Sequence, residues 1–181
     1  MDQGRSRAVS KIALTGFMGS GKSTIGPLLA ERLRWGFLDI DRQMEVVHAR
    51  PASALFGELG EEAFRAEEAR IMRECLARPR TVVALGGAAV DLPENQKLLR
   101  EVYTGLLVFL DGAFDVLIGR CAVQSECEGG TYRPLLHKRE EAHARFVSRR
   151  EWNLAHADLR IDVGCQGCEQ SAREISEYVG L

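Results

Sequence analysis

The stretch Gly16-Phe17-Met18-Gly19-Ser20-Gly21-Lys22-Ser23-Thr24 follows the apolar run Lys11-Ile12-Ala13-Leu14-Thr15 and carries three glycines, two serines and a single lysine. A plain turn needs one or two glycines, not three in fixed register before Lys-Ser. Their missing side chains let backbone N–H groups curl around a phosphate at the N-terminus of the helix that follows. Strand, then Gly16-x-x-x-x-Gly21-Lys22-Ser23, then helix is the phosphate-binding P-loop in the context that motif requires. Gly19, Ser20, Gly21, Lys22, Ser23 and Thr24 are therefore expected to wrap a polyphosphate. Lys22 reaches its β- and γ-phosphates, and the Ser23 hydroxyl ligates Mg²⁺. Pro27, in the second turn of that helix, removes a backbone donor and is expected to kink it.

The whole chain sets the bounds. At 181 residues it has the length of one domain with a real core. Its hydrophobic fraction of 45% and charged fraction of 28% are those of a globular protein. A net charge of −2 suggests no nucleic-acid surface, although an arginine-rich chain can still hold local basic pockets. No apolar stretch approaches the length of a membrane span. The opening Met-Asp-Gln-Gly-Arg-Ser-Arg-Ala-Val-Ser-Lys lacks the apolar segment of a signal peptide, so a cytoplasmic location is expected. Five cysteines, Cys75, Cys121, Cys127, Cys165 and Cys168, are an odd number and argue against a disulfide framework. Cys165-Gln-Gly-Cys168 has the spacing of a zinc knuckle or redox pair but lacks the second pair that would complete either, so solvent-side loop cysteines are expected.

Short apolar runs alternate with helix-like segments. Residues 11–15, 37–41, 81–87, 105–111 and 159–163 read as strands. Residues 22–33, 42–48, 61–77, 94–101, 113–120, 139–157 and 168–179 read as helices. The strands are continuous apolar runs, as expected when helices cover both faces of a parallel sheet. The order predicts a three-layer α/β domain spanning 1–181. Residues 122–132 are polar and Gly-containing, and read as a long loop or lid.

A P-loop specifies a nucleotide but not an acceptor. Phe37-Leu38-Asp39-Ile40-Asp41 ends the second strand with two carboxylates. Strand residues two apart share a face, so both are expected to point into the crevice beyond the strand ends, where open α/β sheets bind ligands. The same aspartates also suit capping of the next helix. Gly86 and Gly87 end the third strand and would again let backbone approach a ligand closely.

The P-loop, Asp39-Ile40-Asp41, Leu55–Glu68 (LFGELGEEAFRAEE), Leu85–Val90 (LGGAAV) and Tyr132–Leu136 (YRPLL), in this order and spacing, resemble the shikimate kinase family from about residue 11 to residue 162. The resemblance implies a P-loop fold of the nucleoside-monophosphate-kinase type. Its sheet would be five-stranded and parallel, in order 2-3-1-4-5, with a substrate-binding helical region at about 41–75 and a mobile lid at about 120–138. It further implies phosphoryl transfer from MgATP to a shikimate hydroxyl, by a monomer, with Mg²⁺ as cofactor and ATP as co-substrate. Asp39 becomes a carboxylate in the outer sphere of the magnesium, and Asp41 holds the acceptor hydroxyls and takes the proton. Arg65 meets the acceptor carboxylate with Glu68 beside it, and Gly86 and Gly87 form a close backbone wall. Arg133 arrives over the transferring phosphate, and Arg120 packs on adenine. The chemistry agrees: a small polyol carboxylate needs a guanidinium fork and a carboxylate acceptor. Phosphoryl transfer needs mainly placed charge.

The chain departs from the family pattern at three places. The three-glycine wall reads Gly86-Gly87-Ala88. The late-helix motif Arg-x-Pro-Leu-Tyr is replaced within Ser148-Arg-Arg-Glu-Trp-Asn153, which leaves Arg149 and Arg150 as candidates for a second carboxylate-binding arginine; counting back from the last strand favours Arg149. The lid is enlarged by Gln124–Gly130, and closure is expected to bring Cys121 and Cys127 towards Cys165 and Cys168. Two other functions stay open at this point: a related kinase for another hydroxylated acceptor, and a non-catalytic ligand-binding relative.

Overall fold

A computed structural model describes residues 9–127 and 139–180. Five parallel strands form one sheet in the order β2-β3-β1-β4-β5, with β1 Lys11–Thr15, β2 Gly36–Asp39, β3 Thr81–Ala84, β4 Leu106–Asp111 and β5 Leu159–Asp162. The order is that implied by the family resemblance. Helices α1 (Lys22–Leu33), α2 (Ile40–His48), α3 (Ala52–Leu76), α4 (Pro93–Lys97), α5 (Phe114–Cys127), α6 (Arg139–His156) and α7 (Cys168–Tyr178) connect or flank the strands. A π-turn, Leu98–Val102, extends α4. No described helix is long and apolar enough to cross a membrane.

The three layers follow from strand alternation. Ile12 and Leu14 of β1, Val82 of β3 and Val108 and Leu110 of β4 pack with α1, α5, α6 and α7. Their neighbours Ala13, Val83 and Leu107 point the other way and pack with α2 and α3. Each central strand thus feeds two cores, which is why these strands are apolar throughout rather than alternating. The edge strands β2 and β5 are only partly buried, which accounts for the charged Arg160 in β5.

Three local expectations are corrected. The second strand stops at Asp39, and Ile40 and Asp41 already belong to α2. The helix expected at 61–77 begins at Ala52, and a kink at Gly60 (φ 76, ψ 168) divides it into two legs. Pro51 precedes the first leg as its N-cap, and only a glycine takes the Gly60 backbone conformation without strain. The long loop expected from residue 122 is helical to Cys127 as part of α5, because nothing between Ala122 and Cys127 breaks a helix. The rest of the expected lid, including Arg133, lies outside the described residues. Helix α1 runs through Pro27 to Leu33, the span expected for it.

Candidate active site

The P-loop lies between β1 and α1 at the carboxyl edge of the sheet. Gly19 has φ 76, and a Cβ there would stand 2.1 Å from the Leu117 carbonyl oxygen, so only glycine fits. Gly21 caps α1 in a left-handed conformation with no side-chain hydrogen bond, leaving the helix start open to an anion. The Lys22 ammonium is drawn into the curl: Nζ donates to the carbonyls of Gly16 (2.8 Å) and Phe17 (3.1 Å). Burial lowers its pKa to about 8, against the opposing pull of Asp41 and Asp39.

Asp39 joins two elements. Its Oδ2 accepts the Ser23 hydroxyl at 2.6 Å, and its Oδ1 accepts the N–H groups of Asp41 (3.1 Å) and Arg42 (3.4 Å). It is at once a helix cap and half of a hard-oxygen pair with Ser23. Both oxygens suit Mg²⁺, which is bound through hydroxyl, carboxylate and water oxygens.

Asp41 reaches the crevice from the first turn of α2, so the strand-face reasoning that paired it with Asp39 does not apply. Its side chain is open to the crevice but surrounded by protein. Burial, and then the charges of Asp39 and Glu68, push its pKa up to about 6, against the pull of Lys22 and Arg65. Asp41 and Glu68 meet over Gly86. A Cβ there would lie 2.5 Å from Glu68 Oε1 and 3.2 Å from Asp41 Oδ1, so a side chain at this position would displace both carboxylates. Glu68 is buried and accepts from Arg65 Nη1 at 2.8 Å. Arg65, Glu68, Asp41 and Gly86 are therefore brought together.

Arg149 and Arg150 part company. Arg149 is buried on α6, its guanidinium 5.7 Å from the Phe17 ring centroid and its Nη1 4.0 Å from where a Gly87 Cβ would be. Its charge is felt by Lys22. Arg150 is instead committed to the buried Asp111, with Nε and Nη2 each 2.9 Å from a carboxylate oxygen, a partner it shares with Arg160. Asn153, where the family motif has tyrosine, is buried. It accepts from Thr15 Oγ1 (2.9 Å) and donates to the Arg149 carbonyl (2.8 Å), fastening α6 to the strand that enters the P-loop.

Arg120 Nη2 donates to the Val163 carbonyl at 2.7 Å, which ties α5 to the loop after β5. The cysteines depart from expectation in part. Cys121 is fully buried, its Sγ 3.0 Å from where a Gly19 Cβ would be, so it underlies the P-loop rather than edging a lid. Cys165 is exposed before α7, but Cys168 opens α7 half-buried, its Sγ 3.8 Å from the Cβ position of Gly21. The Cys127 side chain lies outside the described residues. Among the described residues no group of three or more His, Cys, Asp or Glu could hold a metal ion.

Sequence reasoning missed Asp91, whose carboxylate grips Arg149 from the turn after Gly87. No motif marks it, because the pair is made by packing α6 against that turn. The assembly sets a cationic anion loop beside a hard-oxygen pair and a carboxylate with raised pKa. That arrangement suits phosphoryl transfer to a hydroxyl.

A family model described as shikimate kinase matches residues 18–179. A shikimate kinase of Geobacter sulfurreducens is 39% identical over 170 residues, covering 93% of this chain and 90% of the relative. Among solved structures, a shikimate kinase of Acinetobacter baumannii in complex with shikimate superposes with a TM-score of 0.83 at 27% identity, covering 96% of both chains. That of Aquifex aeolicus superposes with a TM-score of 0.78 at 29% identity, covering 92% of this chain and 94% of the other.

Proposed function

The chain belongs to the shikimate kinase family, and on that premise we propose that its crevice transfers the γ-phosphoryl group of ATP to the 3-hydroxyl of shikimate. The observation that carries the reading is that Asp41 and Glu68, the partner of Arg65, meet over Gly86 within electrostatic reach of the P-loop Lys22. A lysine held in the P-loop and a carboxylate of raised pKa influence each other across one crevice, with Arg65 and Glu68 alongside.

The residues divide the work. The P-loop from Gly19 to Thr24 holds the ATP phosphates through its N–H groups, and Lys22 offsets charge that builds up on the transferring group. Ser23 and Asp39 would hold Mg²⁺. The ion, when bound, would neutralise phosphate charge. Asp41 accepts a hydrogen bond from the acceptor hydroxyl and takes its proton as the oxygen bonds to phosphorus. A carboxylate of pKa about 6 is ionised at neutral pH yet basic enough for this task. Arg65 and Arg149 face the acceptor carboxylate, while Gly86 and Gly87 allow the ring to lie close to backbone. Arg120 stands at the adenine end. Arg133, which the resemblance assigns to the transferring phosphate, lies outside the described residues.

Product analysis tests the reading. After incubation with MgATP and shikimate, phosphorus and proton NMR should locate the new ester on the 3-oxygen. An ester at another hydroxyl, or none, contradicts it.

A further inference from the structure

Arg149 Nε and Nη2 donate to Asp91 Oδ1 (2.7 Å) and Oδ2 (2.5 Å), a side-on bidentate pair in which the arginine is buried and the aspartate faces outward. A guanidinium carries five N–H donors in one plane, and so offers a second edge formed by Nη1 and the remaining Nη2 hydrogen. Nη1 lies 4.0 Å from the Cβ position of Gly87, so that second edge borders the glycine wall. Phe17 covers one face of the plane. Asp91 is itself fixed by the turn that makes the wall: Ala89 N–H donates to the Gly86 carbonyl (3.0 Å) and Asp91 N–H to that of Ala88 (2.9 Å).

We propose that Asp91 is a positioning residue for acceptor binding, clamping one edge of Arg149 so that the other edge presents two donors past Gly87 to the acceptor's carboxylate. This rests on the reading of the acceptor as shikimate. An arginine side chain loses much rotamer freedom when held, and a partner that holds it beforehand removes that cost from binding. Because Asp91 and the glycine wall share one turn, the arginine edge and the wall keep a fixed spacing. The acceptor therefore meets a preformed fork. Asp91 does not itself touch the acceptor.

The test is steady-state kinetics of Asp91→Asn, Asp91→Ala and Asp91→Glu beside the wild type, with melting curves as a check on folding. For Asp91→Asn, which keeps the volume, KM for shikimate should rise about tenfold, while kcat and KM for ATP stay within about twofold. Asp91→Glu should recover part of the loss. With the methyl ester of shikimate as acceptor, the ratio of variant to wild type should shrink towards one, which a general structural role would not produce. An unchanged or lowered KM in Asp91→Asn, or an equal loss with the ester, overturns the proposal. The wild-type control separates the two levels: no shikimate-dependent turnover in the wild type overturns the substrate reading, and this proposal with it. A normal wild type beside an unaffected variant overturns this proposal alone.

Discussion

The hydroxyl of Ser23, in the first turn of α1, donates to Asp39 Oδ2 at 2.6 Å, while the other oxygen of the same carboxylate caps α2. One side chain therefore fixes the spacing between the nucleotide's helix and the helix that carries Asp41. The two functions of Asp39 can be separated by substitution. Asparagine caps helices as well as aspartate but carries no charge. Asp39→Asn should fold normally and weaken the apparent Mg²⁺ affinity about 10–100-fold, read from the Mg²⁺ dependence of the rate. An unchanged Mg²⁺ dependence would remove Asp39 from the metal site.

Lys22→Ala should lower turnover by about 10²-fold or more, roughly 2.7 kcal/mol of transition-state stabilisation, with the far-ultraviolet circular dichroism preserved. Near-normal turnover would take Lys22 out of the chemistry.

The pH dependence has a defined sign on each side. Asp41 must be ionised to accept a proton, so kcat/KM should fall as pH drops through about 6. Lys22 must be charged, so kcat/KM should fall again as pH rises through about 8. Stability runs the other way for Asp41. Its folded pKa lies above the ordinary aspartate value of about 3.9, so its stabilising contribution is complete below that value and is lost as pH rises through about 6. Asp41→Asn should thus be nearly inactive yet more stable at pH 7, on the order of 1 kcal/mol after allowance for water in the open crevice. The difference should vanish below about pH 4, since the carboxyl is then neutral in both states. Equal melting of the two proteins at pH 7 would show that the crevice does not strain this carboxylate.

Arg65→Ala and Arg149→Ala should each weaken shikimate binding by about 1.5–3 kcal/mol and leave ATP binding nearly unchanged. Arg150→Ala should instead lower the melting temperature with little effect on shikimate, because Arg150 serves the buried Asp111. Titration calorimetry of the three variants decides between the neighbours. Loss confined to Arg150→Ala would shift the acceptor's partner by one residue.

The P-loop and the strand positions were legible because both are local, whereas the strand order was implied only by the family resemblance. Glycine register and apolar runs report directly on backbone conformation and burial. The kink at Gly60 and the helix before it were not, since a single glycine reads equally as a break or as a bend. Asp41 sits in the first turn of a helix rather than on the strand face expected for it, because an N-cap at Asp39 moves the helix start two residues earlier than the apolar pattern suggests. Arg149 and Arg150 look alike in sequence. They differ only through partners on distant segments, Asp91 and Asp111. Asn153 looked like a lost tyrosine, but the structure shows it hydrogen-bonded to both Thr15 and the Arg149 backbone. Long-range pairs of this kind leave no periodicity to read.

Phosphoryl transfer to shikimate is tested most directly by a coupled assay of ADP release with MgATP and, in turn, shikimate, quinate, gluconate or no acceptor. The expected result is ADP release well above the acceptor-free rate with shikimate, with the other acceptors near background. A rate that is the same with and without shikimate, or that is highest with gluconate, would contradict it.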